Sequence, residues 1–496
     1  MKHSIVGAGI AGIATSIHLA LQKKGGVHVF EANEYPGGKL TAFEQGGYRF
    51  DAGPSLFTMP HLVDALFKKA GKSPSDYFEY EKLEIACNYF WEDGIQLSAY
   101  TDSNRFSKEV ENKLGVPKKD INQYLKHSAV IFNKTAPLFL EKSLHKFSTY
   151  ISKDVLGALT HVHRFDLLKT MNDANEQKLK EPHLVQMFNR FATYNGSSPY
   201  KAPGVLNIIP HLEHNQGAFI PKGGMHEITL SLVRLAEELG VQFHYNSPVE
   251  QIEVNQGQVK GLKVNGEFIE SDVVISNMDV VPTYRKLLKN TKAPEATLKQ
   301  ERSSSALIFY WGIKKEFTEL DVHNILFTDN YKKEFDHLFD FKTLYEDPTV
   351  YINITSKKEP KDAPKGSENW FVMINVPGNY NQDWDTEIPK AKQRIIEKIN
   401  RVLKTDIEPL IETESILEPR TIESKTSSYL GALYGSSSNN RMSAFLRHPN
   451  FSKQVKGLYF CGGSVHPGGG IPLCLLSGQI TSDLIEKDYS HVEISR

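Results

Sequence analysis

Residues 3–32 read "HSIVGAGIAGIATSIHLALQKKGGVHVFEA", and this stretch decides the fold. "HSIVG" (3–7) predicts a short buried strand. "GIATSIHLALQKKG" (12–25) predicts a helix, with Ile13, Ile17, Ala20 and Leu21 on one face and Gly25 near its end. "VHVFEA" (27–32) alternates and carries β-branched residues, which predicts a second strand. Strand, helix and strand in so short a span imply a parallel sheet with a right-handed crossover.

Gly7, Gly9 and Gly12 form a G-x-G-x-x-G pattern between that strand and that helix. Gly7 permits the tight turn, Gly9 lets backbone approach a pyrophosphate, and Gly12 allows close helix–strand packing. The helix N-terminus adds free N–H groups and a partial positive charge. Glu31 closes the second strand at the distance where a carboxylate accepts from both ribose hydroxyls. NAD and FAD share this unit, so the cofactor must be decided elsewhere.

Two further glycine turns bear on that choice. "EANEYPGGKLTAF" (31–43) places Gly37 and Gly38 before a cation, Lys39, and "YRFDAGPSLF" (48–57) adds Gly53-Pro54-Ser55. A second turn beside the first phosphate loop suits a larger cofactor whose flavin half runs onward along the domain. Near the C-terminus, "FCGGSVHPGGGIPLCLLSGQ" (460–479) packs five glycines and two prolines into its first thirteen residues, then turns apolar. Such a run cannot be mid-strand or mid-helix, because glycine costs backbone entropy and proline removes a donor. It implies something pressed against bare main chain.

The chain has 496 residues, 40% hydrophobic and 24% charged, which points to two or three globular domains. A net charge of −1 provides no field to attract nucleic acid or an anionic membrane. Cys87, Cys461 and Cys474 are too few and too scattered for a disulfide framework or a zinc site. They read as buried thiols in a reducing compartment. No signal peptide is expected at the N-terminus, and no apolar run is long enough to span a bilayer. Membrane contact, if present, is monotopic. "HVH" (161–163) and "HLEH" (211–214) have metal-ligand spacing but lack further ligands, so they read as surface or core histidines and no metal is expected.

Along the chain the texture changes twice. Residues 60–215 carry long charged and aromatic stretches with helical spacing and few strand signals. From 217 strands and glycines return, with an amphipathic helix at 223–240, short strands over 241–277, alternation over 300–375 and a helix at 387–404. The segment "SLFTMPHLVDALFKKAGK" (55–72) puts Leu62, Ala65, Leu66 and Ala70 on one face beside Lys68 and Lys69, as either an interfacial helix or a core helix would.

Taken together, "GxGxxG…E…GGK", "FDAGPS", "GAFIPKGGM" (217–225) and "GLYFCGGSVHPGGGIPLCLLSGQ" (457–479) resemble, in order and spacing, the FAD-dependent amine oxidases and, more closely, the carotenoid and phytoene desaturases. Lys39 departs from the commoner Arg, and Leu473-Cys474 from a small-residue pair. The resemblance implies an α/β fold: a Rossmann-like FAD-binding domain of the glutathione-reductase/amine-oxidase type, with an inserted mixed-sheet substrate domain and a helical lid. The expected division is a discontinuous FAD domain (1–75, 217–285 and 420–496), a helical substrate or lid region (76–216), and a substrate-domain sheet with helices (286–419).

The resemblance also assigns cofactor contacts. At the first loop these are Gly7, Gly9, Ile10, Ala11 and Gly12, followed by Glu31 and Ala32. Gly38 and Lys39 come next, then Gly53, Pro54, Ser55 and Leu56. Val249 is expected to hydrogen-bond the adenine through its backbone, with Asn277 and Met278 in the same groove. Gly462, Gly463, Gly470, Ile471, Pro472 and Leu473 close the set, with a helix starting at Leu473. It implies a long polyene substrate, hydride transfer to flavin, oxygen or a quinone as electron acceptor, and a cytoplasmic protein peripherally attached to the inner membrane. Within the family the lean is toward bacterial 1-hydroxycarotenoid 3,4-desaturases. Phytoene-type and dehydrosqualene-type desaturases, a carotene isomerase and an amine oxidase are the alternatives. No side chain is assigned as proton acceptor.

Overall fold

The computed structural model describes residues 1–150, 165–440 and 446–490. Strand Lys2–Val6 is the centre of a five-stranded parallel sheet. Its neighbours are Gly26–Phe30 and then Gln242–His244 on one side, Val273–Ser276 and then Leu458–Phe460 on the other. Side chains alternate across that sheet. Ile5, Val27, Val29, Val273 and Ile275 pack under helices Ile10–Leu21, Glu227–Glu238 and Ile471–Tyr489. Val6, Phe30, Val274 and Phe460 meet Ile252, Val259 and Leu262 of a three-stranded antiparallel sheet, Val249–Asn255, Gln258–Val264 and Glu267–Glu270. Both faces are thus covered, as a parallel sheet requires.

The first and last helices touch along their length. Gly478 makes this possible, since a Cβ there would lie 2.9 Å from the Ala11 carbonyl oxygen. Residues from the two ends of the chain therefore share one site.

A second sheet has seven strands, in the order Ile411–Leu417, Ser305–Ile313, Glu368–Val376, Val350–Ile354, His323–Leu326, Ile85–Phe90 and Gln96–Tyr100. It is antiparallel except where His323–Leu326 runs parallel to Ile85–Phe90. All nine residues of Ser305–Ile313 are buried, so both of its faces are used. Leu307, Phe309 and Trp311 pack with Ile395 and Ile399 of helix Trp384–Leu403. Ile308 and Tyr310, one residue out of phase, face the interior between the two sheets.

Several expectations need correction. Residues 80–100 lie in the stretch read as helical but form strands Tyr80–Lys82, Ile85–Phe90 and Gln96–Tyr100. Ile85–Phe90 and Gln96–Tyr100 form a local hairpin, while Tyr80–Lys82 and the other edge of Ile85–Phe90 pair with distant strands that short runs such as "IACNYF" do not announce. The helix expected over 223–240 starts only at Glu227, because Gly223 and Gly224 take φ of 81° and 93°. The helix expected from 387 starts at Trp384, where Asp383 accepts from the Thr386 N–H. The C-terminal helix starts at Ile471, two residues before Leu473. Helix His61–Lys69 buries Val63, Leu66 and Phe67 in the first core with Leu62 and Ala70 packed beside them, so its apolar face is a core face and not an interfacial one. No helix among the described residues is long and apolar enough to cross a membrane.

Candidate cofactor and substrate site

A cavity of about 1050 Å³ runs between the parallel sheet and the seven-stranded sheet. Of the residues assigned to the cofactor, all but Gly12 and Leu473 line it. Gly12 serves the packing role expected of it: a Cβ would lie 2.4 Å from the Gly7 carbonyl oxygen. Leu473 is a correction. It follows Ile471 and Pro472 in the first helical turn, and the 3.6-residue period carries it away from the cavity while Cys474 returns to it.

Two helix N-termini open on this cavity. Helix Ile10–Leu21 begins after Gly9 and helix Ile471–Tyr489 after Gly470, and neither has a side-chain cap. Their first N–H groups are therefore left for a ligand, and the helix dipoles favour an anionic one. Glu31 is buried and pre-aimed. Its Oε2 accepts the Ala8 N–H at 2.7 Å, and its Oε1 accepts the Asn33 backbone and amide N–H groups at 2.9 and 2.8 Å. Oε1 has both lone-pair sites filled, whereas Oε2 has used one and keeps accepting capacity.

The glycines do more than the sequence suggests. A Cβ on Gly9 would stand 2.6 Å from Asn277 Oδ1, and one on Gly462 would stand 2.6 Å from Asn277 Nδ2. The three are one unit: bare backbone from both ends of the chain makes room for the Asn277 amide, which donates to the Cys461 carbonyl at 3.2 Å. Lys39 also lines the cavity, but its ammonium donates to the carbonyls of Ala432 and Leu433 at 3.2 and 2.9 Å. Burial pulls that ammonium down to about 8. It ties the second glycine turn to the chain at 432–433 rather than standing free as a phosphate charge.

The motif stretches at 50–55 and 217–225 are joined. Asp51 accepts from the Met225 N–H at 2.9 Å and the His226 N–H at 3.3 Å. A Cβ on Gly224 would collide with the Arg49 guanidinium at 2.3 Å. "GAFIPKGGM" is therefore chiefly a structural clasp on strand Tyr48–Asp51, which leads into the Gly53–Leu56 turn.

Beyond that turn the lining changes to side chains. Ile308, Tyr310, Phe371 and Met373 come from two paired strands of the large sheet. Among them lies a buried polar cluster that sequence reading did not assign. Arg190 Nη2 donates to Tyr89 Oη at 2.6 Å and to both Glu213 oxygens at 3.2 Å. The Tyr194 hydroxyl donates to Glu213 as well. Burial pushes the Glu213 carboxyl up, but Arg190 and the Tyr194 hydroxyl outweigh it and hold the group below its ordinary range. Nearby, Tyr351 Oη lies 2.7 Å from both Ser55 Oγ and His323 Nδ1. Burial lowers the His323 imidazole to about 4, so it is neutral.

The one available signal for this cluster was a charged residue in an apolar helical stretch: Arg190 in "EPHLVQMFNRFATYNG". Glu213 lies inside "HLEH", whose spacing drew attention to its histidines, read as surface or core rings, and not to the carboxylate between them. His211 and His214 of that pattern are core rings, with His214 stacked on Phe106 at 4.5 Å. His161 and His163 lie outside the described residues. Cys87 and Cys461 are buried, and Cys87 and Cys474 line the cavity.

The family model described as "flavin containing amine oxidoreductase" matches residues 10–485. The chain belongs to that family. It is a flavin-dependent oxidoreductase, and within the family it falls in the carotenoid desaturase branch. It is 54% identical, over 98% of its length and 99% of the relative's, to 1-hydroxycarotenoid 3,4-desaturase of Flavobacterium sp. (strain P99-3). To 4,4'-diaponeurosporene oxygenase of Staphylococcus aureus (strain MSSA476) it is 34% identical, over 98% of each chain. Among solved structures, an oxidoreductase from Methanosarcina mazei superposes with a TM-score of 0.63 at 15% identity, covering 98% of this chain and all of the other. Putrescine oxidase bound to putrescine gives 0.63 at 14% identity, covering 98% and 99%. At such identities the structural likeness speaks to the fold alone.

Proposed function

We propose that this protein is an FAD-dependent carotenoid desaturase that introduces the 3,4 double bond into a 1-hydroxycarotenoid. The observation that carries this reading is the 54% identity, end to end, to a desaturase so named. The oxygenases stand at about a third. The cavity supports it: one half is lined by bare backbone and two uncapped helix starts, the other by apolar side chains with a small polar cluster.

FAD, when bound, supplies a two-electron acceptor for a hydride from carbon. Glu31 would hold the ribose, Gly9 to Ala11 and Gly470 with Ile471 the pyrophosphate and flavin through backbone N–H groups, and Val249 the adenine end, while Pro472, which has no N–H, would line the site beside them. Ile308, Tyr310, Phe371 and Met373 would hold the polyene and keep water from it. The Tyr310 hydroxyl is committed to the Ala52 carbonyl at 2.7 Å, so it presents a ring and no free donor. Moving a polyene from lipid to such a wall gains little hydrophobic free energy, so selectivity must come from shape and from polar contacts at its end.

A substrate that resides in lipid makes peripheral membrane contact part of the same reading, with oxygen or a quinone as terminal acceptor. The decisive experiment is expression in carotenoid-producing bacteria supplied with hydroxylated or unhydroxylated precursors. The expected product has lost two hydrogens and absorbs at longer wavelength. A product that has gained oxygen would instead favour the oxygenase reading. Purified protein should release FAD on denaturation, and Glu31→Ala should lower the FAD-to-protein ratio; a ratio equal to wild type would remove the ribose role.

A further inference from the structure

Among the described residues, three side chains that line the cavity hold a buried nitrogen with no hydrogen-bond partner: Arg190, His226 and His323. Arg190 is otherwise engaged with Glu213 and Tyr89. His226 belongs to the clasp at Asp51, on the nucleotide side. His323 differs. It is 3% exposed, and its other nitrogen is fully occupied.

The neighbours of that nitrogen fix the tautomer. Asn353 Nδ2 donates to the Val322 carbonyl at 2.9 Å, which sets the orientation of its amide. The second hydrogen of the same amide nitrogen points at His323 Nδ1, 3.2 Å away. His323 Nδ1 must therefore be an acceptor, and in a neutral ring the proton sits on Nε2. The single lone pair of Nδ1 is then shared between that amide and, at the shorter 2.7 Å, the Tyr351 hydroxyl, which accepts in turn from Ser55 at 2.7 Å. The result is a chain from Ser55 through Tyr351 to His323 that ends in an N–H with nothing to donate to. Buried donors are almost always paired.

We propose that the His323 Nε2–H, supported by Tyr351 and Ser55, binds an oxygen atom carried by the end of the polyene. This rests on the desaturase reading and deepens it, by naming what distinguishes a hydroxylated polyene from a plain one. The position is suitable. Ser55 belongs to the Gly53–Leu56 turn at the junction of the two halves of the cavity, where the bond to be oxidised must meet the cofactor. In a 1-hydroxy-3,4-desaturation only two carbon–carbon bonds separate the hydroxyl-bearing carbon from the bond oxidised. The group that recognises the hydroxyl must therefore sit beside that junction, and the Ser55–Tyr351–His323 chain starts there. Arg190 and Glu213 are nearby but neutralise each other.

The test uses full-length, FAD-loaded enzyme held reduced so that no turnover occurs. Binding is followed by the absorption shift of two polyenes that differ only in a tertiary hydroxyl at C1. Wild type should bind the hydroxylated polyene about tenfold tighter or more, the effect of one buried hydrogen bond. His323→Leu should bring the ratio near one while leaving the affinity for the plain polyene unchanged. His323→Gln, which keeps an N–H, should retain part of the preference. Tyr351→Phe should weaken the preference without abolishing it. A wild-type ratio of one, or equal losses for both polyenes in His323→Leu, overturns the anchor while leaving the desaturase reading intact. If wild type binds neither polyene and oxidises neither, the desaturase reading falls and the anchor falls with it.

Discussion

The two halves of the cavity are made differently. On the nucleotide side the wall is main chain, from Gly7, Gly9, Gly38, Gly462 and Gly470, and its polar groups are N–H donors at two helix starts. On the substrate side the wall is side chain, and its polar groups form two neighbouring sets, one of Arg190, Glu213, Tyr89 and Tyr194 and one of Ser55, Tyr351 and His323 that ends in an unpaired nitrogen. A dinucleotide is an invariant ligand that backbone can meet. A polyene end group varies among relatives, and side chains can be exchanged without rebuilding the fold. The difference teaches that one half is built for a fixed partner and the other for a changeable one.

Breaking the side-chain half should be the more damaging. Arg190→Met leaves Glu213 buried, 1% exposed, without its cation, and should cost about 3–5 kcal/mol in denaturant unfolding. In wild type Glu213 is held below its ordinary 4.5. It therefore contributes stability that is present above that value and lost as the pH falls through the lower folded value. In the variant burial is no longer opposed by the cation, only by neighbours such as the Tyr194 hydroxyl, so the carboxyl moves upward and the deficit should shrink as the pH drops toward 5. A cost under about 1 kcal/mol, the range of an exposed ion pair, would show that the network does not hold this half together.

A second group sharpens the point. Burial pushes Glu334, beside the cavity-lining Thr349, up to about 7, against the two hydrogen bonds it accepts from Thr349. A raised acid contributes stability that is present below 4.5 and lost as the pH rises through about 7. Glu334→Gln should therefore be more stable than wild type at pH 8, by up to about 3 kcal/mol at about 1.36 kcal/mol per pH unit. The advantage should vanish at pH 4.5, as read from melting curves across that range.

The backbone half should break by crowding. Gly12→Ala puts a Cβ 2.4 Å from the Gly7 carbonyl oxygen and should cost about 1–3 kcal/mol, with a lower flavin-to-protein ratio. Gly9→Ala should cost less, because the atom it meets is the Asn277 amide oxygen, which can turn away. Adding Asn277→Ala should then restore part of the flavin content lost in Gly9→Ala. Absence of any such rescue would show that Gly9 is bare for the ligand alone.

Legibility followed the same division. The first strand, helix and strand, the glycine turns and the C-terminal loop were readable because each needs a particular local conformation. Gly7 and Gly470, with φ of 96° and 100°, take conformations that side chains rarely adopt. The strands at 80–100 were not read: Tyr80–Lys82 pairs with Phe219–Pro221 and Ile85–Phe90 with His323–Leu326, both far away in sequence, although Ile85–Phe90 also forms a local hairpin with Gln96–Tyr100. Nor was Glu213: the histidines around it are core rings, one of the two settings read for them, but its partner Arg190 lies 23 residues away. Lys39 was readable as a cation but not as a donor to Ala432 and Leu433, nearly four hundred residues on.

Read alone, the chain already specified the nucleotide fold and, through its resemblance to a family, the class of cofactor, together with a set of contact residues of which all but Gly12 and Leu473 line the cavity. Those properties depend on backbone conformation, which short runs of glycine, proline and apolar residues dictate locally. Only the tertiary structure decided that Ser55, Tyr351, His323, Arg190 and Glu213 share one chamber, and which of their polar atoms remain unpaired. That arrangement depends on long-range strand pairing and on hydrogen-bond partners that no local stretch of chain contains.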